Sequence, residues 1–131
     1  MSDFIDFKTL TRPPKPNTCL AAPKDLCENA KADCHPPALS QPAADAFASV
    51  VACVHQEKSW GKLVSDSDGL RLRFVATTGI MRFKDDVDIQ LIAKTDSETD
   101  IAIYSRSRVG YSDLGANRKR VEKLLTALTR N

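Results

Sequence analysis

The chain has 131 residues, with 19 Lys and Arg against 17 Asp and Glu and a formal net charge of +2. This length fits one domain with a single hydrophobic core. The small charge gives no indication of nucleic acid or an anionic membrane as a partner, and no apolar run approaches the roughly 20 residues of a transmembrane segment. Residues 1–10 are acidic and mixed, unlike a signal peptide. A cytoplasmic location is therefore favoured, with an oxidising compartment as the alternative if the cysteines are bridged.

Residues 1–42 are expected to form an extended N-terminal arm. All seven prolines lie between Pro13 and Pro42, and proline prevents any helix of useful length. One short helical turn is expected near residues 25–32. The arm also carries a small apolar cluster, which we expect to cover the open face of the sheet, with docking onto a membrane or partner as the alternative: Phe4, Ile5, Phe7 and Leu10.

The four cysteines also lie in or near the arm, at Cys19, Cys27, Cys34 and Cys53. An even count in a Pro-rich segment is consistent with disulfides that staple the arm to itself and to the first helix. None of the intervals has the short gap common in structural zinc sites, although His35 and His55 could add nitrogen ligands. Disulfides, free thiols and a metal site are therefore three open alternatives.

Residues 43–131 carry the periodicities of a packed domain. A helix is predicted over about 43–56, with Ser40 as its N-cap, because apolar residues recur at i, i+3, i+4 and i+7. Strands are predicted over 70–77, 87–94 and 101–108 from the alternation of apolar and polar residues, with a short leading strand over 62–65. A last helix, capped by Asp113 or Ser112, carries the same apolar stripe: Val121, Leu124, Leu125 and Leu128.

This order of elements predicts an α+β fold. Consecutive strands favour short turns and antiparallel pairing. We expect a three- to four-stranded antiparallel sheet packed by two helices on one face, with the extended Pro/Cys-rich arm at the N-terminus. The chain thus divides into an arm, residues 1–42, and an α+β domain, residues 43–131.

The run from Tyr104 to Val121 is the most distinctive part of the sequence. It reads Tyr-Ser-Arg-Ser-Arg-Val-Gly-Tyr-Ser-Asp-Leu-Gly-Ala-Asn-Arg-Lys-Arg-Val, and it is preceded by Phe-Lys-Asp-Asp-Val at residues 83–87. Together with the opening from Asp6-Phe7 to Pro23, these motifs resemble a mainly bacterial, partly plastid family catalogued as domain of unknown function 1499. The resemblance covers most of the chain and implies no particular reaction.

The same run contains the candidate site residues. Strand alternation turns Ser105 and Ser107 toward the core and Arg106 and Arg108 away from it. Two glycines allow a sharp turn into the last helix, whose first backbone N–H groups lie near two arginines, an arrangement suited to an anion. The predicted ligand-binding residues are Arg106, Arg108, Asp113, Asn117 and Arg118.

A structural role is the alternative for this corner. An arginine, Arg108 or Arg118, would then pair with Asp85 or Asp86, and the turn would be locked onto the preceding hairpin. The residues of this predicted structural motif are Asp85, Asp86, Ser107, Gly110 and Gly115.

No nucleotide-binding loop and no nucleophile elbow occurs in the sequence. The acidic residues Asp85, Asp86 and Asp88 are expected to be solvated rather than to bind a metal, and no metal, cofactor or nucleic acid is predicted. We expect a non-enzymatic binding or accessory domain, which takes a protein partner, as in a membrane-associated complex, or a small anionic ligand. The alternative is a hydrolase-like enzyme that uses Asp85, Asp86, Arg108 and Asp113.

Overall fold

The computed structural model describes residues 4–79 and 81–129. Five strands and two helices follow one another in the order βαββββα along this part of the chain. The elements are β1 (Thr18–Ala21), α1 (Ala43–Gln56), β2 (Trp60–Asp66), β3 (Arg71–Thr77), β4 (Lys84–Ala93), β5 (Thr99–Ser107) and α2 (Ala116–Thr129).

The sheet has five strands, in the spatial order β1-β5-β4-β3-β2, and all neighbours are antiparallel. The α+β class is confirmed, whereas the predicted number of three to four strands is too small. The additional strand is β1, which lies inside the Pro-rich arm and pairs with β5. Three of its four residues are buried, so it shows no alternation of polar and apolar residues that would indicate a strand.

The two faces of the sheet are covered by different parts of the chain. Both helices pack on one face, where the main core contains Val50, Phe74, Ile89 and Leu124. The arm packs on the other face around the buried Phe7. The expectation that the arm covers the open face is therefore confirmed. The members of this second cluster are Phe7, Leu20, Ala22, Ala102 and Tyr104, with Ile5 and Leu10 packed against them.

Helix α1 has the predicted bounds, but its N-terminus differs from the prediction. Pro42 is the N-cap residue and no side chain caps the helix, so the assignment of Ser40 is wrong. Residues 25–32 form turns and bends rather than a helical turn, and Asp25 has a φ of 69° that a helix does not accommodate. In the described part of the chain, neither helix is long and apolar enough to cross a membrane.

The outer strand β2 is interrupted by a register shift between Gly61 and Val64. Lys62, inside this shift, has a φ of 54°. A bulge of this kind bends an edge strand and disturbs its row of free backbone groups, which disfavours pairing with another chain. It also brings Lys62 to the lining of a groove at the end of the sheet.

Candidate functional site

The corner between β5 and α2 is built on left-handed backbone positions. Gly110 and Gly115 have φ values of 86° and 82°, and Leu114 has 54°. Glycine adopts this region at little cost, whereas a leucine is strained there. Asp113 caps the helix, because its carboxylate accepts hydrogen bonds from the backbone N–H groups of Gly115 (2.8 Å) and Asn117 (3.1 Å). The predicted cap at Asp113 is thus present.

Asn117 is fully buried and joins three segments of the chain. Its Nδ2 donates to the backbone oxygen of Asn17 (3.0 Å), to Ser107 Oγ (2.9 Å) and to Asp113 Oδ2 (2.7 Å). Its Oδ1 accepts from Ser105 Oγ at 2.6 Å. Asn17 in turn donates through Nδ2 to the backbone oxygen of Gly110 (2.8 Å). Asn117 therefore fastens the arm, β5 and the start of α2 together.

A buried ion pair lies beside Asn117. Arg120 Nη2 is 2.9 Å from Asp85 Oδ2, and the two side chains are only 8% and 1% exposed. Arg120 Nη1 also donates to Ser105 Oγ (3.0 Å) and Asn117 Oδ1 (2.9 Å). Among the residues described, no group donates a well-directed hydrogen bond to either oxygen of Asp85, so its contact with Arg120 is an ion pair. Arg120 is not among the site residues predicted from the sequence, although it lies three residues after Asn117 and four before Leu124, on the buried side of α2.

The remaining predicted arginines are held by carboxylates or lie in solvent. Arg106 pairs with Asp88 (2.7 Å) and stacks on the Tyr104 ring at 4.9 Å. Arg108 pairs with Asp86 through two hydrogen bonds of 2.9 and 3.0 Å, so one of the predicted pairs is present. Arg118 is exposed and lies 3.3 Å from Glu122. Only Asp113 and Arg118, among the five predicted ligand-binding residues, line the same cleft.

Two of these carboxylates have a lowered pKa. Burial raises the pKa of Asp113, but hydrogen bonds from the side chain and backbone of Asn117 and from Gly115 bring it below its ordinary value. Burial likewise raises the pKa of Asp86, while the hydrogen bond and charge of Arg108 lower it overall. Both carboxylates are therefore ionised at neutral pH, and neither is poised to act as a general acid there.

We expect Asp113→Ala to lower the free energy of unfolding by about 1 kcal/mol, because the helix loses its cap. Since the pKa of Asp113 is lower in the folded state, its contribution is complete above about pH 4 and is lost as the pH falls through the lowered value. The difference between wild type and Asp113→Ala should therefore shrink in thermal melts as the pH approaches about 2. Asp96→Ala, at an exposed loop position, is the control. Identical melting temperatures for wild type and Asp113→Ala at neutral pH would contradict the cap.

An apolar cleft of about 310 Å³ opens next to this corner. Its walls come from the loop between β3 and β4 and from the loop between β5 and α2. The polar part of the lining consists of the carboxylates of Asp85 and Asp113 and the hydroxyls of Thr78, Ser107 and Ser112. The apolar walls, which are absent from the site predicted from the sequence, are Met81, Phe83, Val109 and Leu114.

A basic groove of about 420 Å³ lies beside the apolar cleft. Thr78 and Gly79 line both, so the two lie on either side of the β3–β4 loop, the cleft on the helix side of the sheet and the groove on the arm side. No Asp or Glu is found among the described residues that line the groove. Its cationic residues, all of them exposed, are Lys58, Lys62, Arg82 and Lys84.

A third cleft, of about 450 Å³, lies between the arm and the start of α2. Its charges are mixed, because Arg12, Lys15 and Arg118 face Asp33 and Asp113. Arg12 is already engaged, at 2.8 Å each, by Asp33, Thr18 Oγ1 and the backbone oxygen of Lys31. This cleft offers an anion less unpaired positive charge than the basic groove does.

All four cysteines carry free thiols, so the disulfide alternative finds no support. Burial, together with the charges of Asp33 and Cys34, raises the pKa of Cys19 to about 11. A thiol with this pKa is almost entirely protonated at neutral pH and is a poor nucleophile. Within residues 4–79 and 81–129, no group of three or more His, Cys, Asp or Glu side chains is arranged to hold a metal ion.

Comparison with known proteins places the chain in one family. A search of curated proteins finds no match. The family model described as protein of unknown function (DUF1499) matches residues 10–128, which include every strand and nearly all of α2. The chain therefore belongs to the DUF1499 family.

Proposed function

We propose that the chain is a non-enzymatic binding or accessory domain that holds an anionic amphiphile at one end of its sheet. This is the end where β3 and β5 finish and β2 and β4 begin. The observation that carries the proposal is that the basic groove and the apolar cleft adjoin the same loop, since Thr78 and Gly79 line both. A ligand with an anionic group and an apolar chain that crosses this loop would contact both parts.

The charges give such a ligand one orientation. The groove offers Lys58, Lys62, Arg82 and Lys84 and no carboxylate in its described lining. The described lining of the cleft contains no Lys or Arg that could pair with an anion, and its carboxylates, Asp85 and Asp113, are bonded to Arg120 and to the start of α2. The anionic group therefore belongs over the groove, and the apolar chain belongs between the apolar walls of the cleft.

The geometry supports the enzyme alternative less well. Of the four residues considered for hydrolysis, Asp85 and Asp113 line the apolar cleft, whereas Asp86 and Arg108 pair with each other on the opposite face of β4. Asp113 is also occupied as the cap of α2. A catalytic set needs groups that converge on one open pocket, and these four residues are divided between two faces.

Calorimetric titration of the full chain with decyl phosphate, kept below its critical micelle concentration, tests the proposal. We expect saturable binding that weakens as salt is added, because exposed charges are screened. Decyl maltoside, which has the same chain and no charge, and inorganic phosphate, which has no chain, should each bind at least about tenfold more weakly.

The double variant Lys62→Gln/Lys84→Gln should weaken decyl phosphate binding by about tenfold, because it removes two cations from the groove. Lys94→Gln/Lys119→Gln removes the same charge from exposed positions outside the groove and serves as the matched control. Absence of decyl phosphate binding, or equal losses in the two variants, would overturn the proposal.

A further inference from the structure

The exposed apolar side chains are concentrated in two adjacent loops. Among the described residues, six large apolar side chains are exposed, and five belong to the β3–β4 and β5–α2 loops. Leu114 is 89% exposed, Met81 70% and Tyr111 66%. Single exposed apolar residues are common on protein surfaces, but a cluster of this kind marks an interaction site. The five are Met81, Phe83, Val109, Tyr111 and Leu114, here called the apolar tips.

Cations flank the apolar tips. Arg82 lies between Met81 and Phe83 in sequence, and Lys84 follows Phe83 directly. Two further lysines complete the groove that adjoins them. The nearby carboxylates are withdrawn from the surface, because Asp85 is buried against Arg120 and Asp113 is bonded to the start of α2. The surface around the tips is therefore positive, despite a net charge of only +2 for the whole chain.

We infer that these loops dock the domain onto an anionic lipid bilayer, with the apolar tips inserted among the lipids and the basic groove over the headgroups. This inference rests on the proposed function and specifies the source of the amphiphile. A single ligand in the cleft would cover the cleft walls and leave Tyr111, which is exposed and does not line the cleft, in water. A bilayer covers the walls and the outward-facing tips together.

The chemistry of the tips suits a membrane interface. Tyrosine is enriched at the headgroup level of bilayers, and apolar insertion combined with attraction to anionic lipids is the usual basis of peripheral binding. Each Lys or Arg near an anionic surface strengthens partitioning by about fivefold. The four groove cations thus contribute strongly when the membrane is anionic and little when it is neutral.

Sedimentation of the full chain with lipid vesicles tests the inference. We expect binding to phosphatidylcholine vesicles that contain roughly one third phosphatidylglycerol, and little binding to phosphatidylcholine alone. Leu114→Asn should lower partitioning to the anionic vesicles by about fivefold or more. This variant should fold at least as well as wild type, because asparagine tolerates the φ of 54° better than leucine does.

Val64→Thr is the matched control, since Val64 is exposed but lies on β2, outside both loops. It should bind vesicles as wild type does. If decyl phosphate binds but anionic vesicles do not, or if Leu114→Asn and Val64→Thr bind vesicles equally, the membrane inference is wrong and the proposed function stands. A protein partner would then be the occupant to seek. If neither decyl phosphate nor vesicles bind, both proposals are wrong.

Discussion

Arg120→Met is expected to lower the free energy of unfolding by about 3–5 kcal/mol, because it leaves the Asp85 carboxylate charged and buried without its partner. The same substitution removes a donor from Ser105 Oγ and from Asn117 Oδ1. Urea denaturation, analysed by linear extrapolation, measures the loss. A decrease of less than about 1 kcal/mol would contradict this role of the ion pair.

A double substitution separates the effect of the unpaired charge from the effect of the changed packing. In Arg120→Met/Asp85→Leu the ion pair is replaced by apolar side chains of similar volume, and such replacements are often neutral or stabilising. We therefore expect the double variant to be more stable than Arg120→Met alone. Arg118→Met, two positions earlier on the exposed side of α2, is the control. It should change the free energy of unfolding by less than about 1 kcal/mol, as is usual for a surface ion pair.

Asn117→Ala should lower the free energy of unfolding by about 3 kcal/mol or more. Each buried polar group left without a partner costs about 1–3 kcal/mol, and Asn117 bonds to buried groups on β5, on α2 and in the arm. Asn117→Asp should also be less stable than wild type. It retains an acceptor oxygen, but it loses the Nδ2 donor and places a second carboxylate next to that of Asp113.

Hydrogen exchange measures where in the sheet Asn117→Ala weakens the structure. Asn117 holds the backbone oxygen of Asn17, the residue before β1. The amide protons of β1 should therefore lose more protection in Asn117→Ala than those of the central pair β3 and β4. Asn29→Ala, which removes an exposed side-chain bond to Thr9, is the control for melting and exchange. Uniform loss of protection across the sheet would contradict a specific link to β1.

The periodic elements can be predicted from the sequence, and the irregular one cannot. The apolar stripe of α1 predicts the helix, because residues spaced i, i+3, i+4 and i+7 match a 3.6-residue period and do not match the two-residue period of a strand. The alternation in β3 and β5 is equally clear. Strand β1 has only four residues and is buried on both sides of the sheet, so no period is visible.

The site can be predicted in part. Strand alternation correctly turns Ser105 toward the core, and Asp113 is the cap. Arg120 escapes prediction because arginine is seldom buried, although its spacing to Val121 and Leu124 places it on the inner face of α2. The cleft and the groove depend on how loops from distant parts of the chain are placed relative to one another, and no local sequence pattern predicts that placement.

The pairing of β1 with β5 also affects the order of events during synthesis. Asn17, whose backbone oxygen accepts a hydrogen bond from the Asn117 side chain, lies 100 positions before Asn117 in the chain. Among the described strands of the sheet, β1 pairs only with β5. Contacts this distant in sequence form late and slow down folding. We expect β1 to join only after β5 has left the ribosome, so the first strand of this sheet in chain order is the last one added to it.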